Sequence, residues 1–241
     1  MQYKTRGIVL YSSAYSDKYA ITVVYTEEFG RVSYLTAKSK SRKTKTPKSL
    51  FHALAVLDLE VEHQNLREIQ RIKEAKAHFP LLFLLTDPVK SAIGIFLADL
   101  ISKLIREIQP DKLLFGYILQ SIRILEFTKK TYANFHLVFM IGLTRFLGFY
   151  PDVSTYRKGM FFDLQNGVFT LYKPSHPYHL NPDEGRIFFN LLRMTYENMG
   201  VFKFSRNERN VITGRILEYY RLHLNNFPEI KSLTVLQTVF E

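Results

Sequence analysis

The sequence predicts an α+β chain: a small closed barrel of short strands within residues 1–80, followed by a mainly helical remainder. Three observations carry this expectation. Apolar Leu57, Leu59 and Val61 alternate with Asp58, Glu60 and Glu62, the period of a strand with one buried face. Val89, Ile93, Phe96, Leu97, Leu100, Ile101 and Leu104 recur at helical spacing. Between the two patterns stands Asp87-Pro88, a capping residue followed by a proline suited to the first helical position.

The strand-like segments come first. "RGIVLYSSAY" is rich in β-formers, and "YAITVVYTEE" follows after the turn-like Ser16-Asp17-Lys18. Phe29-Gly30 turns the chain into "RVSYLTAK". After a basic stretch come "ALAVLDLEVEH" and "LREIQRIKEAK". Five short strands at these spacings suit a five-stranded OB-fold barrel, the commonest closed barrel of that size, although strand number alone leaves an SH3-like barrel open.

Helical segments follow the Asp87-Pro88 signal: "VKSAIGIFLADLISKLIREI", "DKLLFGYILQSIRILEFTKK" and "ANFHLVFMIGLTRFLGF". Their apolar faces predict a bundle. Asn181-Pro182-Asp183-Glu184 opens "GRIFFNLLRMTYENM", and Ser205 with Glu208 forms a capping box ahead of "NVITGRILEYYRLHL". The intervening residues 150–180 read as a non-helical insertion, with Gly159 and Asn166-Gly167 as turn signals. The expected domains are therefore 1–80 and 81–241, the second interrupted at about 150–180.

Charge points to a class of partner. The formal net charge is +11 and the sequence pI is near 9.6, which favours a polyanion. The excess is spread along the chain, but "KSKSRKTKTPKS" concentrates Lys38, Lys40, Arg42, Lys43, Lys45 and Lys48 without one acid. Its Ser, Thr and Pro spacers have nothing to bury. A solvated loop is the plain reading; a phosphate-contacting arm is the functional one. Arg6, Lys18 and Arg31 extend it or simply end strands. Tyr11, Tyr15, Tyr19, Tyr25 and Tyr34 stand in or beside the strands, where rings serve as stacking platforms for bases or pack as ordinary strand residues.

Enzyme signatures are missing. No GxxxxGK[ST] loop, HExxH or GxSxG occurs, and there is no cysteine, which excludes thiolate chemistry and cysteine-ligated metal. His176 and His179 form a close pair split by Pro177, and no metal site is expected there. The N-terminus does not read as a signal peptide and no segment is long and apolar enough to span a membrane. The expectation is a soluble cytoplasmic protein without enzymatic activity.

The segments "TRGIVLYSSAYSDKYAITVVYTEEFGRVSYLTAKSKSRK", "FLGFYPD" and "LEYYRLHLNNFPEIKSLTVLQTVF" resemble the RecO family of bacterial DNA repair and recombination mediators, in the family's order and over nearly the full length. The resemblance implies an N-terminal OB-fold, a helical bundle, and DNA binding without bond chemistry or cofactor. It implies single- and double-stranded DNA as ligands, annealing of complementary strands, and recombinase loading on coated DNA with the mediator RecR. It also implies a contact with the C-terminal tail of single-stranded-DNA-binding protein. An acidic tail with an apolar end suits the helical part, where Arg123, Lys129, Lys130 and Arg145 supply cations.

With DNA as the implied ligand, the charge pattern makes Lys38, Lys40, Arg42, Lys43, Lys45, Lys48, Arg31 and Arg6 the expected DNA-binding residues. One departure stands out. The family often carries a four-cysteine zinc module, whereas no position from Phe149 to Leu180 is cysteine. Packing by Phe161, Phe162, Val168, Phe169 and Leu171 is expected to hold that region instead. Other readings of barrel and charge are an RNA-associated OB-fold protein and a protein adaptor whose basic loop meets an acidic partner.

Overall fold

The computed structural model describes residues 1–38, 45–64, 66–105 and 109–239. The chain divides into two compact units, Met1–Phe127 with Ile230–Leu236, and Thr128–Glu229 with Gln237–Glu241.

In the first unit, β1 (Gln2–Ala14), β2 (Tyr19–Thr26), β3 (Gly30–Ala37), β4 (Val56–Glu62) and β5 (Ile69–Ala77) close a barrel in the order β1-β2-β3-β5-β4. β1 is long enough to serve two neighbours. Its first half pairs with β4 from Gln2↔Glu62 to Ile8↔Val56, and its second half pairs with β2 from Gly7↔Thr26 to Ala14↔Ala20. A bulge between Val9 and Tyr11 bends the strand between the two partners. The closing pair, β3 with β5, is parallel, from Ser33↔Ile69 to Leu35↔Arg71. That order and closure are those of an OB-fold, which settles the choice left open by strand number.

Val9, Val24, Val32, Tyr34, Leu57, Leu59 and Val61 fill the barrel. Gly7 is required by the closeness of this packing: a Cβ there would lie 2.6 Å from Val24 Cγ1 and 2.8 Å from Leu59 Cδ1. At the far end of the interior, hydroxyls replace methyls. Ser12 Oγ lies 2.9 Å from Thr22 Oγ1, which lies 2.8 Å from Thr36 Oγ1, so polar groups turned inward still find partners.

Three helices complete the unit: α1 (Phe83–Thr86), α2 (Pro88–Leu104) and α3 (Lys112–Phe127). The Asp87 carboxylate accepts from Val89 N and Lys90 N at the start of α2, as Asp87-Pro88 predicts. The short α1 is held from a distance. Buried Glu126 on α3 accepts from Leu82 N, Phe83 N and Leu84 N, each at 2.8 Å. Buried Lys90 donates to the Glu126 carbonyl at 2.7 Å. The returning chain is tied to α2 through Ser232, whose N and Oγ both donate to Asp99.

The second unit contains α4 (Phe135–Phe146), a small sheet of β6 (Phe161–Asp163), β7 (Val168–Thr170) and β8 (His179–Leu180) in the order β7-β6-β8, then α5 (Pro182–Leu192) and α6 (Arg206–His223). A last helix, α7 (Leu233–Val239), follows. Both predicted caps form full capping boxes, Asn181 with Glu184 and Ser205 with Glu208. α5 ends at Leu192 rather than continuing to Met199. Asn198 explains the stop: its Oδ1 accepts from Thr195 N and its Nδ2 donates to Arg193 O, folding the next residues into a turn.

The cysteine-free sheet is held by rings and one carboxylate. Phe162 and Phe169 are buried with centroids 4.8 Å apart, and Phe188 approaches Phe162 at 4.5 Å. Phe161 and Val168 are half-buried, whereas Leu171 is exposed and contributes no core, contrary to expectation, because β7 ends at Thr170. Asp163 accepts from Gln165 N, Asn166 N and Asn166 Nδ2 at 2.7–3.0 Å, and His176 Nε2 lies 3.4 Å away.

Candidate nucleic-acid interface

Strand register divides the outer surface of β1, β2 and β3 in two. Val24 and Thr22 on β2 and Val32, Tyr34 and Thr36 on β3 face inward, so Tyr19, Ile21, Val23 and Tyr25, with Arg31, Ser33, Leu35 and Ala37, face outward. At the Gly7 end this outer surface is covered by helices. Ile8, Leu10 and Val23 are buried there, and Tyr25 packs against Phe115 of α3 at 5.8 Å while its hydroxyl donates to Asp111 O. Burial pushes the Tyr25 hydroxyl up to about 12.

Toward the hairpin between β1 and β2 the surface is open. Tyr11, Tyr15 and Tyr19 are exposed, and Ile21, Leu35 and Ala37 are half-buried. Of the five tyrosines named from sequence, the structure thus leaves three accessible. Tyr25 and Tyr34 are at most 1% exposed, so neither can stack on a base. Tyr34 points into the barrel interior, where burial raises its hydroxyl further than that of Tyr25.

The named cations have different surroundings. Lys38 leaves β3 beside the hairpin: its N donates to Lys18 O at 2.9 Å. Asp17, Lys18, Tyr19, Ala37 and Lys38 line a shallow cleft of about 390 Å³. Lys40, Arg42 and Lys43 lie outside the described residues. Lys45 O accepts from Ala75 N, and Lys45 Nζ lies 3.3 Å from Glu74, which holds Lys45 against β5. Lys48 begins a single 3-10 turn, Lys48–Leu50, with no buried residue.

Arg31 reaches across the outer surface to the end of α2. Nη1 donates to Ser102 O and Ile105 O at 2.7 and 2.6 Å, and Nη2 donates to the Tyr11 hydroxyl at 3.1 Å. A cation on the terminal carbonyls of a helix is favoured by unpaired acceptors and by the helix dipole. Arg6 is engaged by Glu27 through two hydrogen bonds of 2.8 and 2.6 Å. These bonds hold the Glu27 carboxyl below its usual range and raise the Arg6 guanidinium. Arg6 also lies in a cleft of about 420 Å³ where Glu27, Glu28, Asp58, Glu60 and Glu74 outnumber the cations Lys4, Arg6 and Lys76, a surface of mixed charge with an acidic excess. Lys18, Lys38 and Lys48 therefore offer charge more freely than Arg6 and Arg31.

No group of three or more His, Asp or Glu side chains among the described residues is placed to hold a metal. His179 Nδ1 is 2.8 Å from His176 O, and His176 faces Asp163. Both rings serve the local fold. Among the described residues no helix is long and apolar enough to cross a membrane.

The strand order, the parallel closure and the open outer surface define the first unit as an OB-fold module. Residues 1–80 match the family model "Recombination protein O N terminal", and residues 85–233 match "Recombination protein O C terminal". The chain is 58% identical to a DNA repair protein RecO of Azobacteroides pseudotrichonymphae over 241 residues, covering all of both chains. It is 42% identical to that of Phocaeicola vulgatus over 240 residues, again all of both, and 34% identical to that of Porphyromonas gingivalis over 98% of each. The chain belongs to the RecO family.

Proposed function

We propose that this chain is a DNA-binding recombination mediator in cytoplasmic DNA repair, acting by binding and not by making or breaking bonds. It binds single- and double-stranded DNA, anneals complementary strands and, with RecR, helps load recombinase onto coated single strands. The observation that carries the reading is the position of the basic stretch. In a chain of this family, its first residue, Lys38, lies against the open hairpin end of the OB-fold. Phosphate contacts from such a stretch supply affinity with little sequence preference, which annealing of arbitrary strands requires.

The tail of single-stranded-DNA-binding protein belongs, in this reading, to the second unit. An apolar groove there is lined by Ile187, Phe188 and Leu191 of α5 with Val211 and Ile212 of α6, and the ion-paired Glu184 and Arg215 also line it. It encloses about 50 Å³, so an apolar side chain must widen it, and the tail carboxylate must displace Glu184 or Glu218, each 3.0 Å from Arg215, to pair with that guanidinium.

The test is a strand-annealing assay with the purified chain, run beside binding titrations with DNA and RNA of one sequence. Faster annealing and tighter DNA binding support the reading. Preference for RNA would favour an RNA-associated role. DNA binding that survives loss of the basic stretch, with loss of a protein partner, would favour an adaptor.

A further inference from the structure

Beyond charge, the open end of the barrel presents exposed tyrosine rings on paired strands. The outer rows of β1, β2 and β3 bring Tyr11 beside Val23, Ser13 beside Ile21 and Leu35, and Tyr19 beside Ala37. Tyr11 is 41% and Tyr19 43% exposed, although both stand on paired strands and not on a free loop. Each ring is therefore aimed by the sheet. Arg31 further fixes Tyr11: its guanidinium lies 5.9 Å from the ring centroid and its Nη2 holds the hydroxyl.

The charge around the rings is complementary to a nucleic-acid backbone. Lys18 and Lys38 line the same cleft as Tyr19, with Asp17 as its one acid. Four residues of β2 separate the Tyr11 row from Tyr19, about 13 Å along the strand. At that separation the rings are too far apart to clamp a single base.

We propose that Tyr11 and Tyr19 are a base-stacking platform that makes the barrel selective for single-stranded DNA, while the lysines bind phosphate on single strands and duplex alike. This rests on the DNA-binding reading above and assigns to it the step that separates its two ligands. Bases in a duplex are already stacked and paired, so only an unpaired strand gains from the rings.

The chain has no tryptophan, so one introduced tryptophan reports alone. Four variants, Tyr11→Leu, Tyr19→Leu, Tyr11→Phe and Tyr19→Phe, are titrated with oligo(dT) and with a duplex of equal length, over a range of salt. Each leucine variant is expected to bind oligo(dT) about tenfold more weakly, with duplex affinity changed less than twofold and the salt slope unchanged. Tyr19→Phe keeps the ring and should bind as the parent does, whereas Tyr11→Phe keeps the ring but loses the Arg31 hydrogen bond and should fall between the parent and Tyr11→Leu. In Tyr19→Trp, oligo(dT) should quench the emission, whereas Leu113→Trp, on the exposed side of α3, should stay bright.

Equal losses on oligo(dT) and duplex, or no loss on either, would overturn the platform, as would unquenched Tyr19→Trp at saturation. If binding still depended on the basic stretch, those results would leave the DNA-binding reading intact. Absence of any DNA binding by the parent chain would sink both.

Discussion

His136 should make the second unit sensitive to mild acid. The ring is 1% exposed, and its Nε2 lies 3.1 Å from Thr213 Oγ1, whose hydroxyl donates to Arg209 O at 2.7 Å. Burial, and then the nearby Arg209 guanidinium, lower its pKa from 6.5 to about 3. Between those values the unfolded chain binds a proton at this position and the folded chain does not. The stability associated with the neutral ring is complete above pH 6.5 and is lost as pH falls toward 3. One pH unit corresponds to about 1.4 kcal/mol, so a shift from pH 7 to 4.5 should cost about 2.5 kcal/mol at this residue alone. Urea unfolding of the full chain at both pH values measures the loss. His136→Leu, though less stable at pH 7, should lose about 2.5 kcal/mol less than the parent on acidification, because the carboxylates titrate alike in both proteins. Equal losses in parent and variant, or an imidazole that titrates near 6 by NMR in the folded chain, would refute the reasoning.

Two further outcomes follow from the packing. Glu126→Ala removes the acceptor of three backbone N–H groups at the start of α1 and leaves buried Lys90 beside a cavity. It should cost about 3–5 kcal/mol in denaturant unfolding, and Glu126→Gln, which keeps one oxygen, should cost less. EDTA should leave the melting temperature of the full chain unchanged, because Asp163 and the phenylalanines around Phe162 hold the small sheet. A fall of several degrees on chelation would show a folding metal.

The barrel is legible in the sequence because its strands carry local signals. Alternation at Leu57, Leu59 and Val61 sets the inner face of β4, and Phe29-Gly30 marks the turn into β3. The caps at Asp87, Asn181 and Ser205 are equally local and form as expected. What depends on partners distant in sequence cannot be read in this way. α1 exists through Glu126, more than 40 residues away, and the stop of α5 at Leu192 depends on an Asn198 side chain that no helical period announces.

The candidate site shows the same division. The basic stretch is visible as composition, but composition cannot reveal that Arg31 is spent on α2 carbonyls or that Glu27 holds Arg6. The tyrosines look equivalent in sequence because ring chemistry is the same on either side of a strand. Register decides between them: Tyr34 turns inward, Tyr25 turns outward under α3, and Tyr11 and Tyr19 turn outward into the open.

The central claim is that the stretch beginning at Lys38 binds the phosphates of DNA. The direct measurement is single-strand affinity against salt concentration, for the parent and for a variant with Lys38, Lys40, Arg42, Lys43, Lys45 and Lys48 replaced by Ser. Each neutralised phosphate contributes roughly 0.7 to the log–log slope on single strands, so removing the six cations should lower the slope by about 4, or about 3.5 where Lys45 stays paired with Glu74. Melting should hardly move, since none of the described lysines in the stretch is buried, and the weakening should be similar for unrelated DNA sequences. An unchanged affinity and slope in a well-folded variant would contradict the account and return the stretch to a solvated loop.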